Sequence, residues 1–290
     1  MRSKRWAHLL IHGAVFAWGF TGILGRLIAL RTWPLVWWRL VVATATLAVI
    51  PRVWHGLRRV PPRLALAYVG VGAVLALHFV AFYGSVKASD ASVAATCLAL
   101  APAFVALLEP ALHRARPDMR ELFLGCAMAP GVALVVGGVP GRMQSGVWFG
   151  AGAAALVAIA AVLNKRLRGE GDSLAITWLE LAGGVALLTV ITACTSQSAT
   201  RLELPSPRDF ALLAVLGVAC GVLPLAAYFA ALRELSAFEV QLTVNLEPVY
   251  TVVLAVPLLG EQHELGGRFY AGVLTILGTL SAHAFSRRNG

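Results

Sequence analysis

Three ionisable residues sit where long apolar runs should exclude them: Arg39, Glu180 and Glu247. His78, Glu109, Asn164, Glu239, Gln241 and Asn245 are further polar side chains inside such runs. Polar groups in hydrocarbon are costly, so they turn toward a cavity or a partner and mark solute or proton pathways. Arg39 could hold a carboxylate, whether from Glu180, from Glu247 or from a solute. Glu247 with Asn245 and Gln241 could bind the polar end of a solute, and Glu247 and Glu239 could carry protons at membrane depth. Trp18, Phe82 and Tyr228 could wall the remainder, since aromatic faces stack on planar or cationic groups. His78, Phe82 and Ser85 follow the i, i+4, i+7 spacing that places them on one helical face. Structural roles compete with each of these readings: an ion pair for Glu247 or Arg39, hydrogen-bonded packing for His78.

The elements that carry these residues follow from composition. Of 290 residues, 59% are hydrophobic and only 13% charged, with a mean hydropathy of +0.77. That leaves too few polar side chains to clothe a water-soluble surface and excludes a soluble enzyme, a disordered chain and a coiled coil. The net charge of +10 does not point to nucleic acid, because the basic residues occupy short gaps between apolar runs. Cys97, Cys126, Cys194 and Cys220 lie within apolar runs without a CxxC pair, and read as small hydrophobes. Neither a metal site nor a cofactor is expected.

A membrane-spanning helix needs about 20 apolar residues. Ten such runs are predicted, near 8–29, 34–54, 64–86, 91–112, 121–139, 147–167, 174–194, 210–232, 237–259 and 268–285. The run from His8 reads as a spanning helix, not a cleaved leader. With ten spans, sixteen Lys and Arg fall on the side of the termini and seven on the other. The excess places both termini in the cytoplasm. The fold class expected is an all-α polytopic membrane protein.

Residue n laid over n+146 aligns FYGSVKASDASVAATCLALAPAF (82–104) with YFAALRELSAFEVQLTVNLEPVY (228–250) without a gap. Pro102 and Pro248 coincide. Each removes a backbone donor in mid-span, which would free the carbonyls of Leu98 and Val244 and kink both helices, as hinges or as static bends. The chain divides into repeats of about 1–144 and 145–290, five spans each. Five is odd, so the second repeat must enter the membrane from the opposite side. Inverted repeats around a midplane site recur in secondary transporters. Glu239, Gln241, Thr243, Asn245 and Glu247 correspond to Val93, Ala95, Cys97, Ala99 and Ala101, so a polar wall would face an apolar one. At about 100° per residue, Glu239, Thr243, Glu247 and Tyr250 share one arc of span nine, and Gln241 with Asn245 another.

The sequence contains no GxxxxGK[ST], HExxH or GxSxG, so ATP hydrolysis and the common membrane hydrolases lack their signatures. WGFTGILGRLI (18–28), VWWRLVVA (36–43), KASDASVAATCLALAPAFVALLEP (87–110) and NLEPVYTVVLAVPLLGEQ (245–262) resemble the bacterial EamA branch of the drug/metabolite transporter superfamily, over essentially the whole chain. The resemblance implies ten helices in two inverted repeats and movement of small metabolites, frequently export of amino acids, by uniport or proton coupling. It also implies a central cavity built from spans one, three, four, six, eight and nine, with Trp18, His78, Phe82, Asn245 and Glu247 in it. Leu259-Gly260-Glu261 is the most specific stretch. In the first repeat the position matching Glu261 is Ala115, so the family's glutamate occurs once. The expectation is an exporter of small polar metabolites in a bacterial inner membrane, with the lipid bilayer and the solute as its partners. A non-transporting membrane scaffold or subunit is the alternative.

Overall fold

A computed structural model describes residues 2–113, 119–167, 171–195, 200–231, 233–235, 237–244 and 246–288. The described chain is helical, in the order α1 (Arg2–Leu27), α2 (Thr32–Ala48), α3 (Pro51–Leu57), α4 (Pro62–Ala88), α5 (Ala91–Leu98), α6 (Ala101–His113) and α7 (Met119–Gly138). There follow α8 (Gln144–Arg166), α9 (Ser173–Cys194), α10 (Pro207–Ala214), α11 (Leu223–Ala231), α12 (Ala237–Val244), α13 (Glu247–Leu259) and α14 (Gly267–Arg288). A π-helical stretch, Val215–Val222, joins α10 to α11. Among the described residues six helical segments are long and apolar enough to cross a membrane, Lys4–Leu27, Pro62–Ala88, Ala91–Pro110, Gly141–Arg166, Ser173–Cys194 and Pro207–Ala231, and Thr32–Ala48 with Pro51–Leu57 qualifies as a bent pair. Ala127–Gly138 and Glu247–Leu259 are shorter apolar helices. The chain is thus a polytopic membrane protein.

Helix ends fall where the sequence supplies stops. Prolines 51, 62, 207 and 248 open their helices at the first turn, where the missing N–H costs nothing. Asp172 and Ser206 cap α9 and α10 by accepting the N–H of Leu174 and Asp209. The predicted single span at 34–54 is corrected: α2 stops at Ala48 and the chain turns 90° into α3. Pro51 cannot continue the ladder of α2 but can start a new one. Trp33 and Trp37, on α2, donate to the hydroxyls of Thr192 and Thr189 on α9, and Trp38 donates to the carbonyl of Glu203.

The repeat is visible in the backbone. α5 and α6 recur 146 residues later as α12 and α13, and each second helix starts after a turn, α6 after Leu100 and α13 after Leu246. Packing obeys the same exchange. α4 lies on α8 as α11 lies on α1, α6 on α8 as α13 on α1, while α2 meets α9 and α7 meets α14. Those pairings describe a pseudo-twofold relation between the halves. Close approach comes from glycine: a Cβ on Gly72 of α4 would stand 1.8 Å from the carbonyl oxygen of Glu180 on α9. Contacts between loops separate into two ends. Arg31–Glu203 (3.5 Å) and Arg142–Glu264 tie loops at one end, and Arg52–Asp172, Lys165–Glu109 and Tyr68 to Leu167 tie the other.

Candidate functional site

Arg39 lies in the middle of α2 and is 9% exposed. Its guanidinium carbon stands 4.1 Å from the ring centroid of Phe79 and 5.4 Å from that of Tyr83, which are four residues apart on α4. Among the described residues it has neither a hydrogen bond nor an ion pair. Cation–π contact contributes about 0.5–2 kcal/mol, while desolvating a charge costs several kcal/mol. The aromatic seat alone does not offset that cost.

The surroundings of Arg39 hold further unspent chemistry. Tyr83 is fully buried with an unpartnered hydroxyl, and Arg39, Cys220 and Glu247 are its charged or ionisable neighbours. Gly25 of α1 admits the ring: a Cβ there would lie 2.4 Å from it. Cys220 belongs to the π-helical stretch, whose Gly217 packs on Val42 and the Arg39 carbonyl. π-Helical turns are rare and concentrate at functional sites. This one ends just before Pro224, with Leu223 N–H reaching back to the carbonyl of Val218.

His78, one turn from Phe82, donates from Nδ1 to the carbonyl of Ala153 on α8 at 2.8 Å. Its ring stacks on Phe82 with centroids 6.3 Å apart, and Phe82 meets Tyr83 edge-on at 5.1 Å. Glu247 is the first residue of α13, partly exposed, in the break after α12. Arg39 is the opposite charge acting on it, yet no ion pair joins the two. Starting a helix there also sets the carboxylate at the positive end of the α13 dipole.

The predicted residues therefore separate into two groups. Arg39, His78, Phe82 and Glu247 gather around α4 with Tyr83, an aromatic also open to stacking from its sequence, and Phe79 and Cys220 are added by the fold. Trp18 and Tyr228 face each other at 6.1 Å across α1 and α11, in a cluster with Val244 and Tyr250. Tyr250 is tied to His12 of α1 by a 3.1 Å hydrogen bond. Among the described residues no ion pair joins Glu180 to Arg39; Glu180 lies beside Asn164 and its Oε1 is buried without a partner. Glu109 pairs with Lys165. Glu239 is half-buried in the first turn of α12, its carbonyl accepting from Thr243. Asn245 and the side chain of Gln241 lie outside the described residues. Pro102 and Pro248 each sit second in the helix that restarts after a break. Among the described residues, no group of three or more His, Cys, Asp or Glu could hold a metal ion.

A separate apolar cavity of about 160 Å³ lies between α5, α7, α8 and α14, lined by Cys97, Leu100, Val135, Trp148 and Ile276. Its wall is mostly hydrocarbon, with Thr96 and Gln144 as its polar side chains, and Arg39 is not among the lining residues.

Comparison with known proteins settles the kind of molecule. The model of the EamA-like transporter family matches residues 5–137 and again 144–282. The chain belongs to the EamA-like transporter family. No curated protein matches it. A solved crystal structure, 17% identical with a TM-score of 0.60 over 96% of both chains, shares its fold.

For an EamA-like transporter the missed residues are as informative as the expected ones. Phe79 carried a signal, an i, i+4 aromatic pair with Tyr83 on the helix that bears His78. Nothing local marked Cys220, because π-helical winding rotates its direction relative to an ordinary helix.

Proposed function

We propose that this EamA-like transporter exports small polar metabolites, amino acids among them, by alternating access across a bacterial inner membrane, with both termini in the cytoplasm. The observation that carries the reading is Arg39: a buried guanidinium with neither a hydrogen bond nor an ion pair among the described residues, opposite a Glu247 that no ion pair engages among them. A solute bearing a carboxylate and an ammonium would satisfy both charges at once, and Phe82, His78 and Tyr83 would flank it. The turns at Leu100 and Leu246, followed by Pro102 and Pro248, interrupt two spans at repeat-related positions. Interruptions there suit a cavity that opens to one side and then the other.

The test is efflux from liposomes containing the purified protein, loaded with a labelled panel of amino acids and related metabolites. Selective efflux that Arg39→Gln and Glu247→Gln variants abolish supports the reading, and imposing a pH gradient decides whether protons drive it. Silence across the panel from folded protein transfers support to the scaffold alternative.

A further inference from the structure

The end of the molecule opposite the chain termini is tied together by charged side chains bound to backbone groups. Lys87 donates to the carbonyl of Ile28, Arg26 donates to the carbonyl of Val86 at 3.3 Å, and Asp209 accepts the N–H of Ala29 at 2.9 Å. One contact in this collar is unusual. Asp90 stands at the N-cap of α5, a position where Asp ordinarily accepts the first free N–H groups, yet its side chain makes no cap bond. Glu261 takes that role from the distant α13–α14 turn. Gly260, with φ of 71°, swings the chain back there. The Glu261 carboxylate accepts the N–H of Ala91 at 2.8 Å and of Ser92 at 3.1 Å.

Two carboxylates are thus buried together, Asp90 at 3% and Glu261 at 2% exposure. Oδ2 of Asp90 has no partner, and its nearest cation, Arg26, is 4.0 Å from Oδ1. Arg142, from the α7–α8 turn, also acts on Asp90 but is paired with Glu264. From α14 the hydroxyl of Tyr270, buried without a hydrogen-bond partner, lies in the field of both acids. Lys87 on α4 is engaged by Ile28. Burial first, and the Glu261 charge second, push the Asp90 carboxyl above the usual carboxylate range. The repeat-related positions are Ser236 and Ala115, so the other end has no such pair in its sequence.

We propose that Asp90 and Glu261 form a proton-binding latch: closing this end takes up one proton at Asp90, and opening it returns that proton to water. Resting on the alternating-access reading above, the latch works by charge. In the closed state a neutral Asp90 lies beside an ionised Glu261, which keeps both N–H groups of α5. Deprotonation places two anions side by side, and opening hydrates and separates them. The sign follows: a carboxyl whose affinity for the proton is raised in the closed state favours closure at low pH, and that preference is lost as pH rises through its closed-state pKa.

The experiment uses the full chain in lipid nanodiscs, native cysteines replaced, with spin labels at the exposed positions Leu204 and Gln262. Pulsed electron resonance then reports the distance across this end between about pH 5 and pH 9. The open-to-closed ratio should rise with pH by about tenfold per pKa unit that closure adds to Asp90. Asp90→Asn, nearly isosteric and permanently neutral, should stay closed throughout. Glu261→Gln, which removes the repelling charge, should shrink the pH response. A pH-invariant distance in the wild type, or an Asp90→Asn variant that titrates like it, overturns the latch. Solute flux with an invariant distance defeats the latch alone, whereas a titrating distance without flux of any panel solute defeats the transport reading.

Discussion

Replacing Arg39 by methionine separates a binding residue from a structural one, because the two roles predict opposite changes in stability. The side chain is 9% exposed, lacks hydrogen bonds and ion pairs among the described residues, and rests on Phe79 and Tyr83. Methionine keeps most of the volume and the contact with both rings while removing the charge. The gain is the desolvation cost of an unpaired guanidinium, several kcal/mol, less a cation–π contribution of about 0.5–2 kcal/mol. A net stabilisation of about 1–3 kcal/mol is expected, within the range seen when buried charges give way to apolar side chains. Thermal unfolding in detergent should therefore show a higher midpoint for Arg39→Met. Efflux from liposomes should fall at least about tenfold, the loss expected when a charged contact to solute worth about 1.5–3 kcal/mol disappears. Arg39→Lys should keep the midpoint near wild type and retain part of the flux, since a point charge replaces the planar fork. A lower midpoint for Arg39→Met, with flux falling only in step with the folded fraction, would refute the reasoning and make Arg39 a structural residue.

Three further outcomes follow from the same geometry. Gly72→Ala should lower stability by at least about 3 kcal/mol, because its new Cβ meets backbone of α9 instead of a side chain that could turn aside. Gly70→Ala on the same helix, with nothing within 4 Å, should be neutral or slightly stabilising when both are compared by thermal unfolding. Glu247→Gln should fold normally and lose efflux of zwitterionic solutes by about tenfold or more, with unchanged flux showing that the carboxylate is a bystander. Pro248→Ala should let α12 and α13 join into one straighter helix, raising the unfolding midpoint, since proline in a continuous helix costs about 3 kcal/mol. Efflux should fall with it; a variant that unfolds earlier while transporting normally would dismiss the hinge.

What the residues alone determine here is set by local energetics. Transfer of apolar runs into hydrocarbon and satisfaction of backbone groups within each helix depend on composition over about 20 residues. Membrane character, most of the apolar spans and the 146-residue repeat were therefore legible, down to the coincident prolines 102 and 248. Arg39 stood out for the same reason, as a charge in a run that excludes charges. The tertiary structure decided which faces meet. No spacing rule shows that Glu261 will cap α5 from 170 residues away, or that Gly72 and the carbonyl of Glu180 will touch. Nor does one reveal that Trp18 and Tyr228 will pair across α1 and α11, whereas the stack of Phe82 on His78 followed from their spacing. The π-helical winding that brings Cys220 to Tyr83 sits inside an apolar run that reads as ordinary helix. Helix-to-helix packing in a membrane turns on small residues, orphaned donors and single side-chain contacts, and these are properties of pairs of surfaces that exist only once the helices have been brought together.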